Sequence, residues 1–278
     1  MDLDVIKQRL DSLNKQTNNS GGGNKNLFWK PSIGKQVIRV VPFKYNTSNP
    51  FTEMKFYYGI GEKRVMASPT NWGEKDPIVE FTKQLRQTND KENWRLAKKL
   101  DAKVRIFAPV VVRGEESEGV KLWQFGKEIY QEFLNMAADE EIGDFTDILS
   151  GRDIKLTTVG PEVTGTPYNK TSIGPSMKTS TLSDDEAVVK TLLEEQADPK
   201  KVFKPLSYDE MKEALQSWLS PEDAESEGDI ISEPAEGFDT DVKEETKSNY
   251  SLNTKVKQTK SDKFDSLFDE KDDDYHFN

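Results

Sequence analysis

Apolar residues at the start of the chain recur at helical spacing: Leu3, Ile6, Leu10 and Leu13, with Lys7 and Arg9 beside them. That period predicts a short amphipathic helix over residues 1–15. Asn18-Asn19-Ser20-Gly21-Gly22-Gly23-Asn24 follows and reads as a flexible linker. The helix is either an arm on a loose tether or an element packed on its own domain, since the pattern is the same for both. From Phe28 the pattern changes to short strand-like runs at residues 36–43, 54–60, 103–112, 120–125 and 153–159, separated by Gly, Pro and Asn. Helical periods interrupt them at 77–87, 92–100, 126–138, 183–196 and 207–219. The last two open with Ser183 and Glu186, and with Ser207 and Glu210, the spacing of a capping box. The fold class these elements predict is mainly β with inserted helices, a barrel or a sandwich.

Beyond Pro221 the pattern fades. Only 14 of the last 58 residues are apolar, scattered among acids, too few to offset the entropy of ordering, so this segment is expected to be disordered. The predicted organisation is therefore an arm and linker at 1–24, a folded core at 25–220 and an acidic tail at 221–278. Near the end, Phe264, Leu267 and Phe268 stand among acids and have the look of a short docking motif for a protein partner.

Charge follows the same boundaries. Residues 221–278 hold 18 acidic and 7 basic side chains, so the whole net charge of −11 lies in the tail. Residues 21–110 contain 17 Lys and Arg against 8 acids. A globally acidic chain thus carries a basic N-terminal half, which points to a polyanionic partner for that half. No run approaches the roughly 18 apolar residues of a membrane span, and Met1-Asp2-Leu3-Asp4 does not open a signal peptide. A soluble, intracellular protein is the expectation, with no membrane partner.

Composition removes several chemistries. There is no cysteine, and His276 is the one histidine, so thiol nucleophiles, Ser-His-Asp triads and Cys- or multi-His metal sites are excluded. Gly34-Lys35 fails as a phosphate loop, because Trp29 stands where the first glycine belongs and Gln36 where the hydroxyl belongs; Gly59-Ile60-Gly61 lacks a third glycine. An enzyme is not expected, and neither a metal nor another cofactor is.

What recurs is aromatic residues beside cations. Alternation puts Lys103 and Arg105 on one strand face, with Val104 and Ile106 toward the core, and Lys121 on the face of Trp123. Lys63 and Arg64, Trp72, the run Trp94-Arg95-Leu96-Ala97-Lys98-Lys99, and Tyr168 with Lys170 extend the set. Cations that track phosphates and rings that stack on unpaired bases are what single-stranded nucleic acid requires. Each ring taken alone is also an ordinary core residue. The same surface suits single-stranded RNA as well as DNA, and an acidic scaffold whose tail carries the function is the reading from another class.

Residues 118–129, Glu-Gly-Val-Lys-Leu-Trp-Gln-Phe-Gly-Lys-Glu-Ile, are similar to a segment of the gene 32-type single-stranded DNA-binding proteins of T-even-like bacteriophages. Further similarities are Gln36-Val37-Ile38-Arg39-Val40-Val41-Pro42, the run Asn89-Asp90-Lys91-Glu92 with the basic cluster after it, and the loop from Val163-Thr164-Gly165 to Tyr168. The order of arm, core and acidic tail is similar too. The resemblance implies an OB-fold core with a helical subdomain. It implies sequence-independent binding of single-stranded DNA in phage replication, recombination and repair, in the cytoplasm of the infected host. It implies that Trp72, Trp123 and Tyr168 fall at stacking positions, with Trp94 approximately aligned, and that Lys98 and Lys99 match the family's basic cluster; Arg39, Lys63, Arg64, Arg95, Lys103, Arg105, Lys121 and Lys170 are the further cations expected to line the DNA. Lys7 and Arg9 are the nearest counterparts of an arm that contacts neighbouring copies, and the tail would dock replication and recombination proteins. Relatives commonly hold a zinc at a Cys-Pro-x-Cys turn; here Asp76-Pro77-Ile78-Val79 occupies it. The expectation is no zinc, with Ile78, Val79, Phe81 and Leu85 packing the subdomain instead.

Overall fold

The computed structural model describes residues 27–61 and 63–219, together with Phe264 and Phe268. The arm with Lys7 and Arg9, the linker, Leu267 and the remainder of the tail lie outside the described residues, as do the side chains of Lys63 and Arg64. In chain order the elements are β1 (Phe28–Trp29), β2 (Gly34–Val40), β3 (Thr52–Ile60), β4 (Lys63–Ala67), a 3-10 turn (Pro69–Trp72), α1 (Pro77–Gln87) and α2 (Lys91–Lys99). Then come β5 (Lys103–Val112), a second 3-10 turn (Glu116–Glu118), β6 (Lys121–Phe125), α3 (Lys127–Ala138), β7 (Arg152–Val159), α4 (Pro161–Thr164) and β8 (Lys170–Thr179). The last are α5 (Glu186–Glu194), α6 (Pro199–Val202) and α7 (Tyr208–Leu219). No helix among the described residues is long and apolar enough to cross a membrane.

Within the expected folded region 25–220, these elements fall into two units. Unit 1 comprises residues 27–53 and 105–202, and unit 2 comprises 54–104 and 203–219 with Phe264 and Phe268.

Unit 1 is built on a mixed sheet with strand order β1–β6–β5–β2–β7–β8. All pairs are antiparallel except β1 with β6. This is the β-rich class with inserted helices that the sequence predicts, and it is compatible with an OB-fold. The apolar run of β5 is buried continuously from Ile106 to Val112 because both sheet faces are covered there. Val40 and Val110 point into a core with Trp123, Phe125 and Phe133, while their neighbours Val41 and Val111 pack on Leu182 and Leu192 of the α5 region.

Arg39 is fully buried in this sheet, which corrects its assignment as a DNA contact. Its guanidinium lies 3.2 Å from Asp153 on β7 and donates to the carbonyl of Ser180. Arg113 shares the same carboxylate at 2.8 Å and donates to the carbonyls of Thr181 and Leu182. Burial pushes the Arg39 pKa below its ordinary value, against the pull of Asp153 and with the push of Arg113. A buried guanidinium is tolerable only when paired in this way, so Arg39 fastens β2, β7 and the 180–182 segment.

Unit 2 combines a β3–β4 hairpin with three helices. Gly61 turns the hairpin at a φ of +63°, and a side chain there would meet the Ala214 carbonyl oxygen at 2.9 Å; glycine is required on both counts. α1 begins where Asp76 caps the backbone N–H groups of Ile78 and Val79 and Pro77 fills the first turn. Ile78, Phe81 and Leu85 pack inward as expected, but Val79 is 42 % exposed, on the outer side of the helix. Ser207 and Glu210 form their capping box, with Ser207 N–H donating to Glu210 at 2.8 Å and Glu210 N–H to Ser207 at 3.2 Å. The box expected at Ser183 in unit 1 is not made. Asp185 caps α5 instead, accepting from Ala187 N–H at 2.8 Å, because the helix starts two residues later.

Candidate nucleic-acid interface

The best-formed aromatic and basic surface lies on α2. Asp90 caps the helix, accepting from Glu92 N–H at 2.7 Å. Asn93, Leu96 and Ala97 are then buried on one side, and helical geometry sends Lys91, Trp94, Arg95, Lys98 and Lys99 to the other, where all five are exposed. Trp94 is 51 % exposed, and the Lys98 ammonium lies 5.3 Å from the centre of its ring. A shallow depression beside the ring is lined by Arg86, Asn89, Asp90 and Lys91. Also in unit 2, the Lys103 ammonium sits 5.6 Å from the Tyr58 ring, an aromatic partner that the sequence reading missed. Trp72 is half-buried in its 3-10 turn, which Asn71 ties to β3 through paired hydrogen bonds with the Lys55 backbone. Lys63 and Arg64 are on β4.

Unit 1 treats its predicted residues differently. Trp123 is 1 % exposed and cannot stack on a base; it meets Trp29 edge-on at 5.6 Å and Phe125 at 4.7 Å inside the core. The strand alternation was read correctly but its sense was reversed, since the face that Trp123 shares with Lys121 is the inner one. Lys121 is half-buried at the strand's edge and ion-paired with Glu118. Arg105 is half-buried, and Val104, the neighbouring residue in unit 2, is 41 % exposed instead of core-facing. Tyr168 is half-buried, its carbonyl accepting from the hydroxyls of Thr164 and Thr166, and Lys170 is exposed at the start of β8.

Unit 1 also forms a cluster that the sequence reading did not find. The Tyr45 ring, 43 % exposed, has the Lys201 ammonium 5.2 Å from its centre and that of Lys44 at 6.0 Å. The adjacency of Lys44 and Tyr45 was visible in the sequence, whereas Lys201 reaches the ring only through the fold.

At Asp76, the first residue of the turn expected to stand in place of a zinc site, the side chain belongs to a polar network. Asp76 accepts from the Tyr57 hydroxyl at 2.8 Å and from the Ser68 hydroxyl at 2.6 Å, besides capping α1. A carboxylate so occupied, in a chain without cysteine, does not fit the metal. Among the described residues, no group of three or more His, Cys, Asp or Glu is placed to hold one. Burial and the Asp76 carboxylate raise the Tyr57 phenol well above its usual range.

A β-rich unit together with exposed ring-and-cation surfaces has the chemistry that single-stranded nucleic acid requires. Residues 32–220 match the family described as gp32 DNA binding protein like, and the chain belongs to that family of DNA-binding proteins. No individual curated protein matches the chain.

Proposed function

We propose that this protein binds single-stranded DNA without reading its sequence, as a non-catalytic participant in phage replication, recombination and repair within the infected host. The observation that carries the reading is the outer face of α2, where an exposed Trp94 stands among Arg95, Lys98 and Lys99. A base stacked on the ring and phosphates held by the flanking cations need no base-edge contacts. Trp72, Tyr168, Lys103 and Lys170 add to this surface chemistry, together with Tyr45 and its lysines. Lys7 and Arg9 are proposed to join neighbouring copies along the strand. The acidic tail is proposed to dock replication and recombination proteins and to compete with DNA for cationic surface, at the high effective concentration of a tethered segment.

Titration with oligo(dT) across a salt series, followed by tryptophan fluorescence, tests the reading. A linear fall of log K with log salt is expected. Tighter binding of oligo(U) than of oligo(dT) would assign the surface to RNA, and failure to bind either strand at low salt would leave the acidic adaptor.

A further inference from the structure

Two aromatic side chains of the acidic tail are built into unit 2. Phe264 and Phe268 are both helical, and they are 2 % and 4 % exposed. Their ring centres lie 4.5 Å apart. Phe264 meets Phe81 of α1 at 6.2 Å, and the Lys212 ammonium of α7 lies 4.7 Å from the centre of the Phe268 ring. Both rings join the apolar cluster of Met211, Leu215 and Leu219, so they bridge two helices that pack on each other. A spacing of four puts them on one helical face. This corrects the expectation that Phe264 and Phe268 stand free for a partner: their apolar surface is already covered by the cluster that α1 and α7 share.

We propose that the α1–α7 face of unit 2 is a receptor for an acidic Phe-x-x-x-Phe helix, and that its resident ligand is this chain's own Phe264–Phe268 turn, held reversibly. The chemistry matches on both sides: two rings enter an apolar cluster, the Lys212 ammonium caps one of them, and in sequence Asp265 stands between the pair, with Asp262 and Lys263 before it and Asp269 and Glu270 after it. A segment this short does not hold a helix in water by itself, so the helical backbone at Phe264 and Phe268 comes from the surface on which the two rings lie. Its connection to α7 runs through residues 220–263, which at about 3.4 Å per residue can span up to roughly 150 Å. That reach lets the turn leave and return without disturbing the rest of the unit. Any protein that reads Phe264 and Phe268 must take them from α1 and α7 first. This consequence for partners rests on the docking role proposed above, whereas the receptor does not.

The test uses the full chain and a fluorescein-labelled peptide of residues 258–278. The double variant Phe264→Ala/Phe268→Ala, with its receptor vacated, is expected to bind the peptide at least tenfold more tightly than the wild-type chain, whose receptor is occupied in cis. A peptide carrying both alanines should not bind. Equal affinity for the two chains, or no binding to a variant that melts cooperatively, overturns the receptor. Should the double variant fail to fold, hydrogen exchange on the wild-type chain decides. Excess peptide must accelerate exchange across residues 262–270, and unchanged exchange overturns the proposal. A tail that binds no replication protein would overturn the partner reading and leave these results intact.

Discussion

The ammonium of Lys98 lies 5.3 Å from the centre of the Trp94 ring, one turn further along α2. A cation at one side of the ring fixes its orientation without covering it, and half of the side chain stays in solvent. Trp94→Ala is therefore expected to weaken oligo(dT) binding by about 1–3 kcal/mol, the value of one stacked base. Fluorescence anisotropy of a labelled oligonucleotide measures it. The melting temperature should hardly move, and an unfolded variant would show the ring to be structural.

Trp123 has the opposite expectation. Deleting a fully buried indole between Trp29, Phe125 and Phe133 leaves a cavity, and large-to-small changes of this kind cost about 3–5 kcal/mol. Urea denaturation of Trp123→Ala should show that loss. Affinity for oligo(dT), measured where the variant is folded, should stay within about twofold, since no base reaches the ring.

The basic side of α2 makes a prediction about salt. If Arg95, Lys98 and Lys99 each neutralise a phosphate, replacing all three with alanine lowers the magnitude of the log K against log salt slope by about 2, at roughly 0.7 per contact on a single strand. Titrations of wild type and variant across the same salt series give both slopes. Identical slopes would place the phosphates on other cations, such as Lys44 and Lys201 around Tyr45.

Alkaline pH acts on two phenols of unit 2. Burial, then the charge and hydrogen bond of Asp76, raise the Tyr57 pKa, and burial with the 2.9 Å hydrogen bond to Glu80 raises that of Tyr208. In the unfolded chain both phenols ionise near pH 10, while in the folded protein they keep their protons. The unfolded state therefore binds fewer protons above about pH 10, and stability, complete below that pH, falls as pH rises. Thermal melts from pH 8 to 11 should show this decline, and Tyr57→Phe/Tyr208→Phe should flatten it. The same variant costs stability at neutral pH, about 1 kcal/mol for each hydrogen bond removed. A decline of unchanged steepness would assign it to other groups.

Local signals decided most of the secondary structure. α1 was legible to the residue at Pro77–Gln87, because an Asp-Pro start and a helical apolar period are contained in twelve neighbouring positions, 76–87. β5 was legible at Lys103–Val112 for the same kind of reason. β4 and β8 were missed. Their sequences, Lys-Arg-Val-Met-Ala and Lys-Thr-Ser-Ile-Gly-Pro-Ser-Met-Lys-Thr, carry little alternation, and they become strands through pairing with β3 and β7. Asp185 took the cap from Ser183 because three eligible side chains, Ser183, Asp184 and Asp185, stand in succession.

The candidate site divides along the same line. The sequence by itself determined which residue types were available: rings beside cations, an acid-rich tail with phenylalanines among its acids, and no thiol for a metal. It also determined the two faces of each strand and helix, since the periods of 2 and 3.6 are properties of the backbone. Only the tertiary structure decided which face was covered. Trp94 and Trp123 have similar basic neighbours, yet one is exposed and the other is core. Arg39 looked like a phosphate ligand until Asp153, far along the chain, took its charge. Lys201 joined Tyr45, and Phe264 joined Phe81, across still longer separations. Burial is a property of what packs against a residue, and those partners come from parts of the chain that a local period does not reach.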